Sequence, residues 1–296
     1  MGIKRALLVG INYPGTDHAL RGCVNDVMRM NDIIVNHFGF TDPNNRRILT
    51  DASATTDAIL ERLEWLVKGA KAGDVLFFHY SGHGSQLLNK NYGADQDHEP
   101  DGLDEIICPV DLNWRDKVVR DDQMKAIFDK VPAGVNLTVI LDCCHSGGGL
   151  DQVNQYQTRN FGPPVDDVSP NRERRLVMPY DIFNRTVGLE VEVRPRSVQS
   201  QSRNVDKTGL LLSGCRSDQT SADAWIHNQY IGAATFYLTD TLERHNWDVD
   251  YKTLIDEAGA ALKQYKYSQR PELNGSATLF NQKFLQPLGD VDTEVD

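Results

Sequence analysis

Short apolar runs alternate along this chain with stretches whose apolar residues recur every three or four positions. Residues 5–11, 46–50, 74–81, 104–110 and 136–143 read as strands. Residues 23–38 read as a helix, with Val24, Val27, Met28, Ile34 and Val35 spaced among polar residues. A second helix starts at a Thr55 or Thr56 cap and runs to residue 66, with Ile59, Leu60, Leu63 and Leu66 on one stripe. Residues 121–130 complete a third. Beyond residue 207 the pattern resumes: a strand over 208–215, helices over 232–244 and 251–265, and a final strand over 277–280. Strand–helix alternation of this kind predicts an α/β fold, a mainly parallel central sheet with helices on both faces.

Residues 155–207 break the pattern. They hold Gly162-Pro163-Pro164, Ser169-Pro170, the basic cluster Arg172-Glu173-Arg174-Arg175, Arg194-Pro195-Arg196 and a polar run from Ser197 to Asn204. Only Val187, Leu189, Val191 and Val193 hint at a short strand. The segment reads as an exposed, partly mobile connector open to proteases. It divides the chain into a part over 1–154 and a part over 208–288, followed by an acidic tail over 289–296.

Composition narrows the class. Hydrophobic content of 40% and charged content of 25% suit a soluble globular protein. The net charge of −11, from 31 basic and 42 acidic residues, argues against a nucleic-acid partner. No run approaches the roughly 18 apolar residues of a membrane span. Met1-Gly2 lacks the downstream Ser or Thr of a myristoylation signal, because Ala6 stands there. The apolar stretch near the N-terminus is too short for a signal peptide. Five cysteines in no paired spacing make no disulfide framework. A cytoplasmic location is the simplest expectation.

Two of the strand-like runs end in reactive groups followed by glycine. One is Phe77-Phe78-His79-Tyr80-Ser81-Gly82-His83-Gly84; the other is Val139-Ile140-Leu141-Asp142-Cys143-Cys144-His145-Ser146-Gly147. Together they bring an imidazole and a thiol to the carboxyl ends of strands, where open α/β sheets bind ligands. This pairing is the raw material of a cysteine nucleophile with a histidine base. Strand alternation puts Asp142 and Cys144 on one face and Cys143 on the other, with Val139 and Leu141. Cys144 is therefore favoured as nucleophile and Cys143 as a core residue. The same parity groups Ser81 with His83. His79 lies inside its apolar run and reads as packed core. His145, next to the cysteine, competes less well with His83. Zinc is disfavoured because the adjacent cysteines lack the usual two-residue gap.

Several ordered motifs resemble the metacaspases, a family of caspase-like cysteine peptidases. They include Ala6-Leu7-Leu8-Val9-Gly10-Ile11-Asn12-Tyr13, Leu20-Arg21-Gly22-Cys23-Val24-Asn25-Asp26, Tyr80-Ser81-Gly82-His83-Gly84 and Asp101-Gly102-Leu103-Asp104-Glu105. Asp121-Asp122, Asp142-Cys143-Cys144-His145-Ser146-Gly147, Leu212-Ser213-Gly214-Cys215 and Gln219-Thr220-Ser221-Ala222-Asp223-Ala224 extend the likeness across residues 3–288. The resemblance implies one caspase-like α/β domain, with a large-subunit-like part before the connector and a small-subunit-like part after it. It implies endopeptidase activity with Cys144 as nucleophile and His83 as base, and cleavage after Arg or Lys. Asp26, Ser81, Asp142 and Cys23 match the acidic specificity pocket. By analogy, Gly84 and Cys144 supply oxyanion-binding amides. Asp104, Asp121, Asp122 and Asp151 match positions that bind activating Ca²⁺, with Asp101 as an alternative to Asp104.

The family motifs start at residue 3, with no Pro-rich or zinc-finger prodomain ahead of them. The connector is also shorter than in members with a very long one. The large-then-small order excludes the rearranged subtype.

Residues 95–111 are rich in Asp and Glu, yet an EF-hand fails there. Pro100 interrupts it and Cys108 stands where a bidentate Glu is needed. Arg172, Arg174, Arg175, Arg194, Arg196, Arg203 and Lys207 are candidates for self-cleavage, and the intact connector could occupy the acidic pocket. Competing readings are a calcium-independent paracaspase-like peptidase, a non-catalytic calcium-responsive scaffold, and an acyl transferase working through the same thioester. Peptide or protein substrates and a monomer complete the expectation.

Overall fold

The computed structural model describes residues 2–88, 103–143, 173–174, 209–215 and 221–288. Six strands form the central sheet: β1 (Lys4–Gly10), β2 (Arg46–Thr50), β3 (Val75–Ser81), β7 (Asn136–Asp142), β9 (Gly209–Ser213) and β12 (Glu272–Gly275). Their spatial order is β12-β9-β7-β3-β1-β2, and every pairing is parallel except that of β12 with β9. The expected mainly parallel sheet is thus present. Two strands from beyond the connector complete it.

Alternating side chains send two cores to opposite faces. Ala6, Leu8, Phe77, Ile140 and Leu212 face helices α1 (Cys23–His37), α4 (Ala233–Arg244) and α5 (Tyr251–Gln264). Leu7, Val9, Leu76, Phe78, Val139 and Leu141 face α2 (Thr56–Val67) and α3 (Asp121–Phe128). Strands buried on both faces favour apolar runs, and β3 and β7 are mostly apolar and fully buried, with Asn136, Thr138, Asp142, His79 and Ser81 as their polar residues. Thr55 caps α2 by accepting from Ala58 N–H, as the sequence suggests.

Beside the sheet stand two small antiparallel ones. β4 (Gly84–Leu88), β5 (Leu103–Ile107) and β6 (Val119–Arg120) make the first. β8 (Glu173–Arg174), β10 (Ala222–Ile226) and β11 (Gln229–Gly232) make the second. These short strands are not foreseen from the sequence, except β5. β5 stops before the predicted residue 110, ahead of Pro109, which has no N–H to give a ladder. The strand expected over 277–280 is instead a single 3₁₀ turn, Ala277–Leu279, and the last strand lies earlier, at β12. The strand suggested over residues 187–193 lies outside the described residues, as does the acidic tail.

Tyr251 ties α5 to the middle of the sheet. Its buried hydroxyl meets Thr138 Oγ1 on β7 and accepts from Leu285 N–H at 3.1 Å. Burial pushes this phenol up from its ordinary value, so it stays protonated at neutral pH. Tyr251→Phe strands these partners in the core. It is expected to lower stability by about 1–3 kcal/mol, read as a fall in the urea midpoint with an unchanged slope.

Candidate active site

Neighbouring strands β3 and β7 pair in parallel register with Ser81 opposite Asp142. His83 stands two residues beyond Ser81, and Cys144 two residues beyond Asp142. The register therefore brings the ends of the two strands, after which the sequence places the histidine and the cysteine, out side by side at the carboxyl end expected for a site. Cys144, His145 and Asp151 lie outside the described residues. Cys143 is fully buried and packs with Val139 and Leu141, the face that alternation assigned to it. His79 is likewise buried, with its ring stacked 6.3 Å from Phe77.

His83 is buried, and its Nε2 lies 2.7 Å from the carbonyl oxygen of His18. A carbonyl only accepts, so Nε2 carries the proton and Nδ1 is the basic nitrogen of the neutral ring. His18 thus orients the imidazole through its backbone, a role that no side-chain pattern could announce. Gly84 follows as the first residue of β4, opposite Ile107.

Asp26, Ser81, Asp142 and Cys23 are all fully buried. Ser81 Oγ donates to Asp26 Oδ2 at 2.6 Å, and Gly232 N–H donates to Asp26 Oδ1 at 2.7 Å. Asp142 accepts from Ser221 Oγ at Oδ1, and from both the N–H and Oγ1 of Thr235 at Oδ2. Cys23 opens α1, its N–H held by Asn12 Oδ1 at 2.9 Å. This start of α1 lies so close to the end of β1 that a Cβ on Gly10 would meet the Cys23 carbonyl oxygen at 2.6 Å. Only glycine fits there.

Asp223 on β10 is a further buried carboxylate, passed over by the sequence reading although it sits in a quoted motif. It accepts from Arg21 N–H at 2.9 Å and Gly22 N–H at 3.0 Å, fixing the chain as it enters α1. A Cβ on Gly22 would meet Asp223 Oδ1 at 2.4 Å, so the glycine makes room for this clasp. Gln269 steadies the same region, accepting from Ala222 N–H and donating to the Gly214 carbonyl.

The proposed calcium ligands are less assembled. Asp104 on β5 is buried and ion-paired with Arg120. Asp121 and the exposed Asp122 open α3. Among the described residues no group of three His, Cys, Asp or Glu stands close enough to hold a metal ion. The described side chains therefore do not by themselves form a calcium site.

A doubly covered, mainly parallel sheet with His83 just past β3 and Cys143 just past the neighbouring β7 has the frame of a caspase-like cysteine peptidase. The family model "Metacaspase, peptidase C14 domain" matches residues 4–153. Metacaspase-1 of Meyerozyma guilliermondii is 33% identical over 93% of this chain and 70% of its own length. Metacaspase-1A of Aspergillus oryzae is 34% identical over 98% of this chain and 70% of its own. A crystal structure of a Geobacter sulfurreducens protein superposes with a TM-score of 0.67, covering 97% of this chain and 100% of that one at 24% identity, and so attests the fold. The chain belongs to the metacaspase family of cysteine-type peptidases, which are hydrolases acting on proteins.

Asp223→Ala leaves two amides at the start of α1 without their acceptor. It is expected to cost about 1–3 kcal/mol, seen as a lower urea midpoint. Asp223→Asn, which keeps one acceptor oxygen, is expected to cost less.

Proposed function

We propose that this metacaspase is a calcium-activated endopeptidase that cleaves after Arg or Lys, with Cys144 as nucleophile and His83 as general base and acid. The observation that carries the reading is the β3–β7 register, with the Nε2-protonated His83 just beyond it. A free thiol has a pKa of about 8.5, so only a few per cent is thiolate at neutral pH. His83 Nδ1 takes the thiol proton, or holds it as an ion pair. Cys144 Sγ then bonds to the carbonyl carbon of the substrate's Arg or Lys. Amide groups of Gly84 and Cys144 stabilise the oxyanion, each worth about 3 kcal/mol. The imidazolium returns its proton to the leaving amine, and water attacks the thioester to free the acid and the thiol.

Specificity follows from Asp26 and Asp142, with Ser81 and Cys23 beside them. Hydroxyl and amide donors from Ser81, Gly232 and Thr235 hold these carboxylates in place and favour their ionised form. A guanidinium or ammonium entering such a pocket gains charge-assisted bonds, whereas an Asp side chain is repelled.

Self-processing in the connector is part of the proposal. Glu173 and Arg174 pair antiparallel with Asp223 and Ala222 of β10. Ser221, the residue just before β10, donates to Asp142. Glu173 and Arg174 are thus docked by their backbone beside the pocket, as a substrate strand or an internal inhibitor would be. The remaining candidates, Arg172, Arg175, Arg194, Arg196, Arg203 and Lys207, lie outside the described residues.

Calcium activation rests on Asp104, Asp121, Asp122 and Asp151 as ligands, and it requires Arg120 to release Asp104. That ion pair also favours a second reading, a calcium-independent paracaspase-like peptidase. No helix among the described residues is long and apolar enough to cross a membrane. A catalytic thiol needs a reducing compartment, so we place the protein in the cytoplasm. We take it as a monomer, since its net charge of −11 opposes self-association.

Matched reporter peptides ending in Arg and in Asp, with and without millimolar Ca²⁺, test the proposal alongside Cys144→Ala. The expected result is calcium-dependent cleavage after Arg alone, lost in Cys144→Ala, with connector cuts after Arg or Lys found by mass mapping. Arg cleavage indifferent to calcium selects the paracaspase-like reading. No cleavage of either peptide points to the scaffold.

A further inference from the structure

Two tyrosine hydroxyls surround the backbone of His83. The His83 N–H donates to Tyr13 Oη at 3.0 Å, and Tyr80 Oη donates to the His83 carbonyl oxygen at 2.7 Å. The hydroxyls lie 3.0 Å apart, and Tyr13 Oη donates to the Cys108 carbonyl at 2.6 Å. Cys108 N–H also donates to the His83 carbonyl at 3.0 Å. Meanwhile the Tyr13 ring lies against the imidazole, with centroids 4.6 Å apart and planes at 36°. Both tyrosines are buried, Tyr80 completely.

We propose that Tyr13 and Tyr80 form one positioning unit that fixes His83, so that the ring oriented by the His18 carbonyl presents Nδ1 to the thiol. The proposal rests on the reading of His83 as the base. Three further observations support it. Burial holds both phenols well above the ordinary tyrosine value, which keeps them neutral hydrogen-bond donors across the working range. Tyr13 sits at φ 50°, a left-handed conformation costly for a bulky residue and sustained only where surrounding contacts enforce it. Gly82 has no room for a side chain, since a Cβ would meet Tyr80 Oη at 2.5 Å and Tyr13 Oη at 3.0 Å. The glycine between Ser81 and His83 is therefore the space that the hydroxyl pair occupies.

The unit fixes a direction more than an energy. His83 lies past the end of β3, where the β3–β7 ladder no longer dictates backbone orientation. The tyrosines replace that ladder with one bond to each of its backbone polar groups. They also join His83 to Cys108, which follows β5 directly.

The test compares Tyr13→Phe and Tyr80→Phe, which each remove one oxygen and keep the ring, with Gly82→Ala, which keeps both hydroxyls and presses on them. His83→Ala is the control. Each is assayed for kcat and KM on an Arg-ending reporter with Ca²⁺, for urea stability, and for the pH dependence of Cys144 alkylation by iodoacetamide, mapped by mass spectrometry. A misplaced catalytic group can cost about 10²-fold in rate, so kcat is expected to fall about 10- to 100-fold in folded variants while KM changes little. The alkylation midpoint is expected to move toward the free-thiol value of about 8.5. Folded Phe and Ala variants with wild-type kcat and alkylation profile, whatever their urea midpoint, would overturn the positioning role. A fully active His83→Ala would instead remove the base assignment itself, a distinct outcome.

Discussion

Three buried aspartates are hydrogen-bonded across the junction between the residues before the connector and those after it. Asp26 accepts from Gly232, Asp142 from Ser221 and Thr235, and Asp223 from Arg21 and Gly22. A carboxylate taken from water costs several kcal/mol unless donors meet its oxygens. Each aspartate finds donors supplied by the far side of the junction. The halves of the chain are thus held in one geometry by aspartates of which two, Asp26 and Asp142, are also proposed to recognise a cationic substrate side chain. The apolar core agrees, because Leu8 and Val27 from before the connector pack with Leu212, Phe236 and Leu254 from after it.

The same economy governs the catalytic side. One pairing register, Ser81 opposite Asp142, aligns two proposed pocket residues, each followed two positions later in the sequence by the proposed base or nucleophile. Glycines follow where the chain needs space. Gly82 makes room for two hydroxyls, Gly22 for the Asp223 carboxylate, and Gly10 for the entry of α1. The buried polar residues Ser81 and Asp142 stand at the carboxyl ends of β3 and β7. Function therefore occupies the rim, and the buried strand interiors supply rigidity.

Much of this is legible in the sequence. The continuous apolar runs of β3 and β7 give their boundaries to within a residue, and alternation sorts Cys143 into the core. Helices α1 and α2 follow from their apolar spacing and, for α2, the Thr55 cap. The unforeseen strands β4, β10 and β11 are short, with polar residues among their apolar ones, and their pairing is set by tertiary contacts that periodicity does not carry. The 277–280 segment fails for a related reason: four residues are too few to distinguish a strand from a 3₁₀ turn. At the site, side-chain chemistry nominates His83, but the His18 carbonyl is a backbone group and belongs to no residue type. Tyr13, Tyr80 and Asp223 lie inside recognised motifs, yet their roles depend on distances that appear only when separate strands and loops are brought together.

The claim that the pocket aspartates clasp the two sides of the junction is tested most directly by cutting the connector and asking whether the pieces stay together. An exogenous protease nicks Cys144→Ala protein, which cannot process itself, and the product is passed over a sizing column under native conditions and again in urea. The two fragments are expected to co-elute as one species of intact size and to separate only on denaturation. Fragments that part under native conditions would contradict that claim.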